Sequence, residues 1–575
     1  MYKSKRERLE VERAALELER QSFIPGWRDC ADFVTPRRPR FNITDNNRGD
    51  RRSTKIIDST ATLALRTLRA GMMSGVTSPA RPWFRLTVDS FAIAERGSVK
   101  NWLHQVTDVM RTVFLRSNLY QVLISTYGDL GLFGTSAILV EEDADDVIRF
   151  FNIPIGSYMI ANDSKMKVNT FWRELRFTVA QVVEKFATID KKTGKPDLSI
   201  FSQRVQEAYK EGRLQEWVDV CHRIGPNPEY NKENLQSKYK KFESCYFEKN
   251  CEKNGKDENL YLRESGYDYF PVLVPRWELT GEDVYGTNCP GMDALGDIKQ
   301  LQLGERRSAQ AIEKKINPPM TGPSQLKTSK VSILPGDTTF YDAAQSNNPF
   351  RAAHEVNLDI SHLENKQAQV RDRIRRVFYE DLFLMIASMD RTQITAREID
   401  ERHEEKLLAL GPVLEQLNQD LLDPLVDVTF AICLERGLIP TPPQELQGQK
   451  LKVEYISIMA QAQKMIGIGT HERFISHIMP LAEAFPDVAK KINIEQYVDV
   501  YGDLVSITPS IIRSDEEVDA LKQAEQQAIT AQRRSEQMMA ASQAAKNLSQ
   551  TDMEGDNAMT RLIETAQAGS LVEGA

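Results

Sequence analysis

The residues of this 575-residue chain that could do chemistry are six cysteines, seven histidines and one arginine-rich stretch. Cys221-His222 with Cys245 and Cys251 offers the thiolate and imidazole ligands that zinc takes. The spacing matches no zinc module, and no Cys-x-x-Cys occurs, so reduced, scattered thiols are the better reading. His104, His222, His354, His362, His403, His471 and His477 form no i, i+4 pair, and His403 and His471 lack the second His of His-Glu-x-x-His. No Gly-x-x-x-x-Gly-Lys-Ser/Thr loop is present. Gly467-Ile468-Gly469 meets Glu472 where a dinucleotide fingerprint needs its third glycine. Gly128, Gly131 and Gly134 mimic a phosphate loop weakly; packing at a helix end explains them better. The acidic turn 141–146 could take a cation, but a solvated hairpin tip is far commoner. Arg37, Arg38, Arg40, Arg51 and Arg52, with Phe41 and Asn residues between them, could touch phosphate. A solvated loop or a subunit-interface arm is favoured over that. No nucleophile, cofactor or metal site emerges, and the chain reads as structural rather than enzymatic.

The charge agrees. Lys and Arg number 74 against 82 Asp and Glu, a net of −8. That disfavours a grip on DNA along a basic surface, whereas a protein that lets DNA slide past wants few cations. No apolar run reaches the length of a membrane span, and the charged N-terminus is no secretory signal.

The elements that would position any site centre on residues 291–398. Residues 292–316 carry Leu295, Ile298, Ala309, Ile312 and Ile316 at steps of three or four. Residues 355–386 carry Ile360, Leu363, Val370, Ile374, Val377 and Leu384 in the same way. Both predict helices with one narrow apolar stripe, about 38 and 48 Å long. Such a stripe seals against a neighbouring helix and leaves much surface free. Between them, Pro318-Pro319, Gly322-Pro323 and Pro335-Gly336 predict turns and one or two short strands. A hairpin of long helices tipped by a small β element is an arm. A polar loop follows at 387–394, then Thr395-Ala396-Arg397-Glu398 as a capping box opening a helix to about Gly437, kinked or restarted at Pro412 and Pro424.

Elsewhere, residues 1–22 predict a charged helix ended by Pro25-Gly26. Helices are expected at 60–74, 99–117, 119–134, 179–187 and 198–212. Strands are expected at 136–140, 147–153, 171–177, 217–224, 242–247 and 260–262. Beyond Thr441-Pro442-Pro443, helices are expected at 453–468, 472–484, 487–492 and 494–501. An Ala/Gln/Glu-rich helix at 515–547 has a thin stripe that suits self-association, and a disordered tail follows. The fold class is mixed α+β, predominantly helical.

Several motifs together carry a resemblance. Ile57-Asp58-Ser59-Thr60-Ala61 leads to Arg69-Ala70-Gly71-Met72-Met73-Ser74-Gly75-Val76-Thr77-Ser78-Pro79-Ala80-Arg81-Pro82-Trp83-Phe84. Tyr285-Gly286, Pro290-Gly291-Met292-Asp293-Ala294-Leu295-Gly296-Asp297-Ile298-Lys299 and Asn317-Pro318-Pro319 follow. Then come Leu334-Pro335-Gly336, Thr395-Ala396-Arg397-Glu398-Ile399 and Leu410-Gly411-Pro412-Val413-Leu414. From about residue 5 to 510 the chain resembles the head-to-tail connector (portal) family of short-tailed bacteriophages.

The resemblance implies a ring, normally of twelve subunits, at one capsid vertex. It implies a wing over 1–290 and 395–438, stem helices at 291–317 and 355–386, a clip at 318–354 and a tunnel loop at 387–394. It further implies a crown at 439–512 and a helix or barrel at 513–548, before a tail at 549–575. Duplex DNA would pass without base readout, with Met389, Asp390, Arg391, Thr392 and Gln393 at the narrowest point. Lys327, Lys330, Val331, Ile333, Leu334, Phe340 and Tyr341 would dock the terminase large subunit and later the tail adaptor or tail tube protein. Major capsid and scaffolding proteins would be further partners. The expected place is the virion, after assembly in the host cytoplasm, with no membrane and no cofactor. Rival readings are another ring-forming virion component, such as a tail adaptor, or an enzyme with an unrecognised site.

Overall fold

The structure is a computed structural model. It describes residues 4–44, 52–94, 96–189, 194–249, 260–322, 327, 331–332, 351–352, 360–389, 404–446, 448–457, 459, 474–478, 480, 485, 497–498, 501, 515–549 and 561. The chain divides into two compact units, one of residues 1–89 and 101–506, the other of 90–100 and 507–575.

The first unit opens with α1 (Lys5–Val34), capped by the Ser4 side chain, which accepts from the Glu7 amide. The five-stranded antiparallel sheet lies beneath it in the order β4 (Tyr158–Asn162), β5 (Val168–Thr178), β6 (Trp217–Pro226), β7 (Phe242–Glu248), β8 (Arg263–Tyr267). Alternation along a strand sends neighbours to opposite faces. One face, with Met159, Trp172, Cys221, Cys245 and Phe247, closes on Leu9 of α1. The other, with Val218, Val220 and Tyr246, closes on α6 (Val179–Phe186) and α7 (Gln203–Lys210). Because α1 has few apolar residues, charge does much of its docking. Arg223 bridges Glu12 of α1 and the equally buried Glu243, Arg13 reaches Glu174, and the Arg6 guanidinium lies 3.7 Å from the centre of the Phe247 ring.

The same alternation separates the described members of the candidate metal cluster; Cys251 lies outside the described residues. Cys221 packs on the α1 face, whereas His222 lies on the opposite face, stacked on Tyr246 at 3.7 Å. Arg173 Nε donates to His222 Nδ1 (3.0 Å), so Nε2 carries the proton and faces Ser244 Oγ at 3.0 Å. Burial, with Arg173, Lys185 and Arg263 nearby, holds the imidazole well below its ordinary 6.5. Burial also pushes the Cys221 thiol up to about 12, leaving it inert. Among the described residues no group of His, Cys, Asp and Glu is placed to hold a metal.

A second layer holds α2 (Thr60–Val76), α4 (Gly97–Arg116), α5 (Leu119–Phe133) and the three-stranded sheet β3 (Val147–Ile153), β2 (Ala137–Asp143), β9 (Val272–Leu273). Gly128 and Gly131 face Arg69 and Leu68 of α2. Gly134 ends α5 at φ 73°, a conformation that suits glycine. The acidic turn is a hairpin tip in which Asp143 caps the amides of Asp145 and Asp146. After the Trp83-Phe84 turn, β1 (Phe84–Val88) pairs antiparallel with β12 (Leu451–Tyr455).

Four expectations change. Pro25-Gly26 does not end α1: Trp27, Cys30, Ala31 and Val34 beyond it are buried, and Trp27 Nε1 donates to the Phe133 carbonyl. That burial offsets the roughly 3 kcal/mol that an internal proline costs. The residues expected to start a helix at 453 are instead the end of β12, because β1 offers an unpaired edge. The strand expected at 260–262 begins at Arg263, and the helix expected at 198 begins at Gln203. The restart expected at Pro424 is found: α12 (Glu404–Leu417) runs into a π-turn at Asn418–Leu422, then α13 (Asp423–Glu435), with Pro424 in its first turn. Pro424 lacks the amide that would bond the Asp420 carbonyl, and the wider turn absorbs the gap. Most helices expected at 458–501 lie outside the described residues.

The second unit contains the short α3 (Phe91–Ala94) and the long α14 (Asp515–Ser549). Leu521, Ile529 and Met538 of α14 are exposed.

Two predictions follow from buried polar groups. Arg276, 1% exposed, is gripped from the π-turn by Asp420, with Nε–Oδ2 at 2.9 Å and Nη2–Oδ1 at 3.0 Å, and also donates to the Met166 carbonyl. Asp420→Ala strands that guanidinium, and we predict a loss of about 3–5 kcal/mol in urea unfolding. A loss within error of zero would contradict the pairing. Unfolding below pH 6.5 lets His222 take up a proton that the folded state refuses. Its contribution is therefore complete above that pH and falls by about 1 kcal/mol per unit below it. Urea midpoints measured between about pH 7.5 and 5.5 should show this slope, reduced by His222→Gln.

Candidate ring-assembly arm

The arm consists of α9 (Leu295–Ile316), preceded by the short α8 (Pro290–Asp293), and of α10 (Ile360–Val377) with α11 (Glu380–Met389). Two residue pairs, Met320 with Ala352 and Thr321 with Arg351, join the far ends as β10 and β11. The inner half is buried. Ile298 and Leu301 of α9, with Val370, Ile374 and Phe378 at the end of α10, sit in the core. Helical spacing places them on one face of each helix.

Polar groups sit in the same stripe. Gln302, 4% exposed, accepts from the amides of Ile57 and Asp58 at 2.6 and 2.8 Å and donates to the Asp58 carbonyl at 2.8 Å. Asp58 caps the Thr60 amide and accepts from Arg371 Nε at 2.8 Å. Burial opposes its charge, but the Thr60 and Arg371 bonds hold its carboxyl below the usual range. The other arm of Arg371 reaches Glu305 of α9 at 2.5 Å. Further along the seam, Gln367 donates to Ser308 Oγ at 2.7 Å, and Arg373 pairs with Asp297 at 2.7 Å. Lys299 ties α9 back to Asp29 of α1.

The outer half differs. Residues 309–317 of α9 are exposed apart from a half-buried Ala311, and 361–366 of α10 are exposed apart from Leu363. Ile312 is 39% exposed and Ile316 79%, on the stripe that is buried at the root.

The second helix is not the single rod expected over 355–386. It breaks between α10 and α11 at Tyr379, whose φ is +55°. Nothing in Ile374–Ile386 is a helix breaker; tertiary contacts impose the turn. The Tyr379 ring lies against Trp277, and Phe383 of α11 packs where a Cβ on Gly71 would come within 2.2 Å of its ring. Residues 355–359 lie outside the described residues.

Of the arm-tip residues, Lys327 is exposed and Val331 half-buried. Lys330, Ile333, Leu334, Phe340 and Tyr341 lie outside the described residues, as do Asp390, Arg391, Thr392, Gln393 and the 395–398 capping box. Met389 ends α11. In the basic stretch, Arg38 is half-buried and paired within the protein: its Nε donates to Asp129 at 2.7 Å, and Nη2 reaches Asn152. Arg40 donates to the Ile43 carbonyl. Arg37 is exposed, Arg52 half-buried, and Arg51 outside the described residues.

Asp58 was expected, with Ser59, as a cap of the helix that follows, and it does accept from the Thr60 amide; Gln302, Gln367 and Arg371 did not stand out in the sequence. Their signal was there: Gln302 is four residues after Ile298, and Gln367 is four after Leu363 and three before Val370. An amide in a narrow apolar stripe marks a paired polar group.

No described helix is long and apolar enough to cross a membrane. A family model described as "Bacteriophage head to tail connecting protein" matches residues 6–512. The chain is 41% identical over 568 residues to the portal protein of Salmonella phage epsilon15, covering 99% of this chain and 100% of that protein. It is 43% identical over 530 residues to the probable portal protein of Bordetella phage BPP-1, covering 92% and 91%. With its arm described and its length matched almost end to end, the chain belongs to the bacteriophage head-to-tail connecting protein family.

Proposed function

We propose that this chain is the repeating subunit of a phage portal, a closed ring of about twelve copies at one capsid vertex. Duplex DNA passes through the ring, driven in by terminase and later released to the tail. Membership of the family supports a structural role, with ATP hydrolysis left to the motor. The observation that carries the ring is the outer half of the arm. Its stripe continues past the buried root into Ile312 and Ile316, which one protomer leaves uncovered. A neighbour's arm would cover them, contributing roughly 1.5–3 kcal/mol per fully buried side chain. A head-to-tail interface of this kind is heterologous, and it closes when the rotation per copy divides a full turn.

In the same reading, 291–317 and 355–386 are the stem, 318–354 the clip that docks terminase and the tail adaptor, and 387–394, whose first three residues end α11 instead of forming loop, the tunnel segment. The remaining N-terminal residues and 395–438 form the wing, 439–512 the crown, and 513–548 a C-terminal helix or barrel. Capsid and scaffolding proteins would meet the wing. Charge supports passage without grip: each copy brings −8, and the two stem segments are close to neutral.

Ile312→Asp with Ile316→Asp should abolish ring formation in native mass spectrometry and leave the wing's melting unchanged. Rings that persist would remove the interface from the arm. Arg391, in the polar stretch that the sequence reads as a loop, is assigned to retaining packaged DNA. Particles built with Arg391→Ala should fill but leak more DNA than wild type; equal filling and equal leakage would remove that role.

A further inference from the structure

We propose that Arg371, with Asp58 and Gln302, sets the angle of the arm and thereby the number of subunits that close the ring; this rests on the portal reading above. The apolar part of the root cannot do this alone. Ile298, Leu301, Val370, Ile374 and Phe378 are held by area, and area is indifferent to small rotations. The polar part has direction. Gln302 uses its carbonyl oxygen twice and its amide once on the backbone at Ile57 and Asp58. These bonds pin α9 to the segment that enters α2. Arg371 then joins three elements at once, with Nε on Asp58 and Nη2 on Glu305. Asp58 is itself fixed by its bond from the Thr60 amide. A planar guanidinium held by two carboxylates from different elements fixes both azimuth and register.

The leverage is geometric. The stripe continues about 15 Å beyond Gln302 to Ile312 at 1.5 Å per residue. A small rotation at the root therefore displaces the apolar residues that meet the neighbour. In a heterologous ring, the same rotation changes the angle between successive copies, and so the count at closure. Buried polar pairs fix register and copy number in coiled coils by the same logic: wrong arrangements leave polar groups unpaired. Gln367 on Ser308 adds a second polar fix along the seam.

The test is the distribution of subunit numbers in the purified full-length protein, read by native mass spectrometry. Arg371→Met should spread the wild-type distribution across at least one further stoichiometry, or shift its peak. Arg371→Lys keeps the charge but loses the fork, and should give a smaller change in the same direction. It also covers the case in which Arg371→Met fails to fold. Arg204→Met removes a surface cation paired with Glu216 in the wing, and should leave the distribution as in wild type. Arg371→Met and Arg371→Lys distributions that overlay wild type, with rings still formed, would overturn the proposal. A wild-type protein that forms no ring would overturn the portal reading itself.

Discussion

Ile298 and Leu301 against Val370, Ile374 and Phe378 is the contact on which the rest depends. It roots two long helices in a core while their outer turns stay in solvent. Hydrophobic burial supplies the adhesion, and the Asp58–Arg371–Glu305 chain supplies the direction. Were the apolar stripe to end at Leu301, α9 beyond it would be a solvated rod with no reason to persist. It continues into Ile312 and Ile316, which one protomer leaves exposed. In the proposed ring, the fold of one protomer and the assembly of many would use the same stripe at different heights.

The rest of the first unit holds that root still. α1 spans the five-stranded sheet and also meets the arm base, where Lys299 of α9 pairs with Asp29. Its docking on the sheet relies on ion pairs, several of them with a buried member, such as Glu12 with Arg223 and Arg8 with Glu243. Pairs of this kind punish loss of one partner more than they reward formation. They therefore specify where α1 lies better than they stabilise it. The Arg276–Asp420 pair plays the same part for the π-turn. α2 is shared by both problems: Asp58 leads into it, and Gly71 in its middle admits Phe383 of α11.

Local pattern told much of this in advance. The helix pair of the arm, the α1 start, α4, α5 and the β2–β3 hairpin follow period and capping alone, as does the reading of Gly128, Gly131 and Gly134. What stayed hidden depends on partners far away in the chain. Pro25 looks like a stop until Trp27 is seen buried against Phe133. Residues Leu451–Tyr455 pair with a strand more than 360 positions earlier. The Tyr379 turn has no breaker to announce it, because Gly71 and Trp277 impose it from outside. Of the root polar cluster, Asp58 could be read as a helix cap, but its bond to Arg371 joins positions 313 apart in the chain. Arg38 read as part of a solvated loop or interface arm, with phosphate contact the lesser alternative, because its partner Asp129 lies 91 residues away in sequence.

The central claim is that the outer stripe of the arm is covered by a neighbouring copy around a central opening. End-on images of the purified full-length protein test it most directly. The account predicts closed annular particles whose central opening is walled by paired helices and is wide enough for duplex DNA. Compact single copies with residues 295–316 folded inside, and no annulus at any protein concentration, would contradict it.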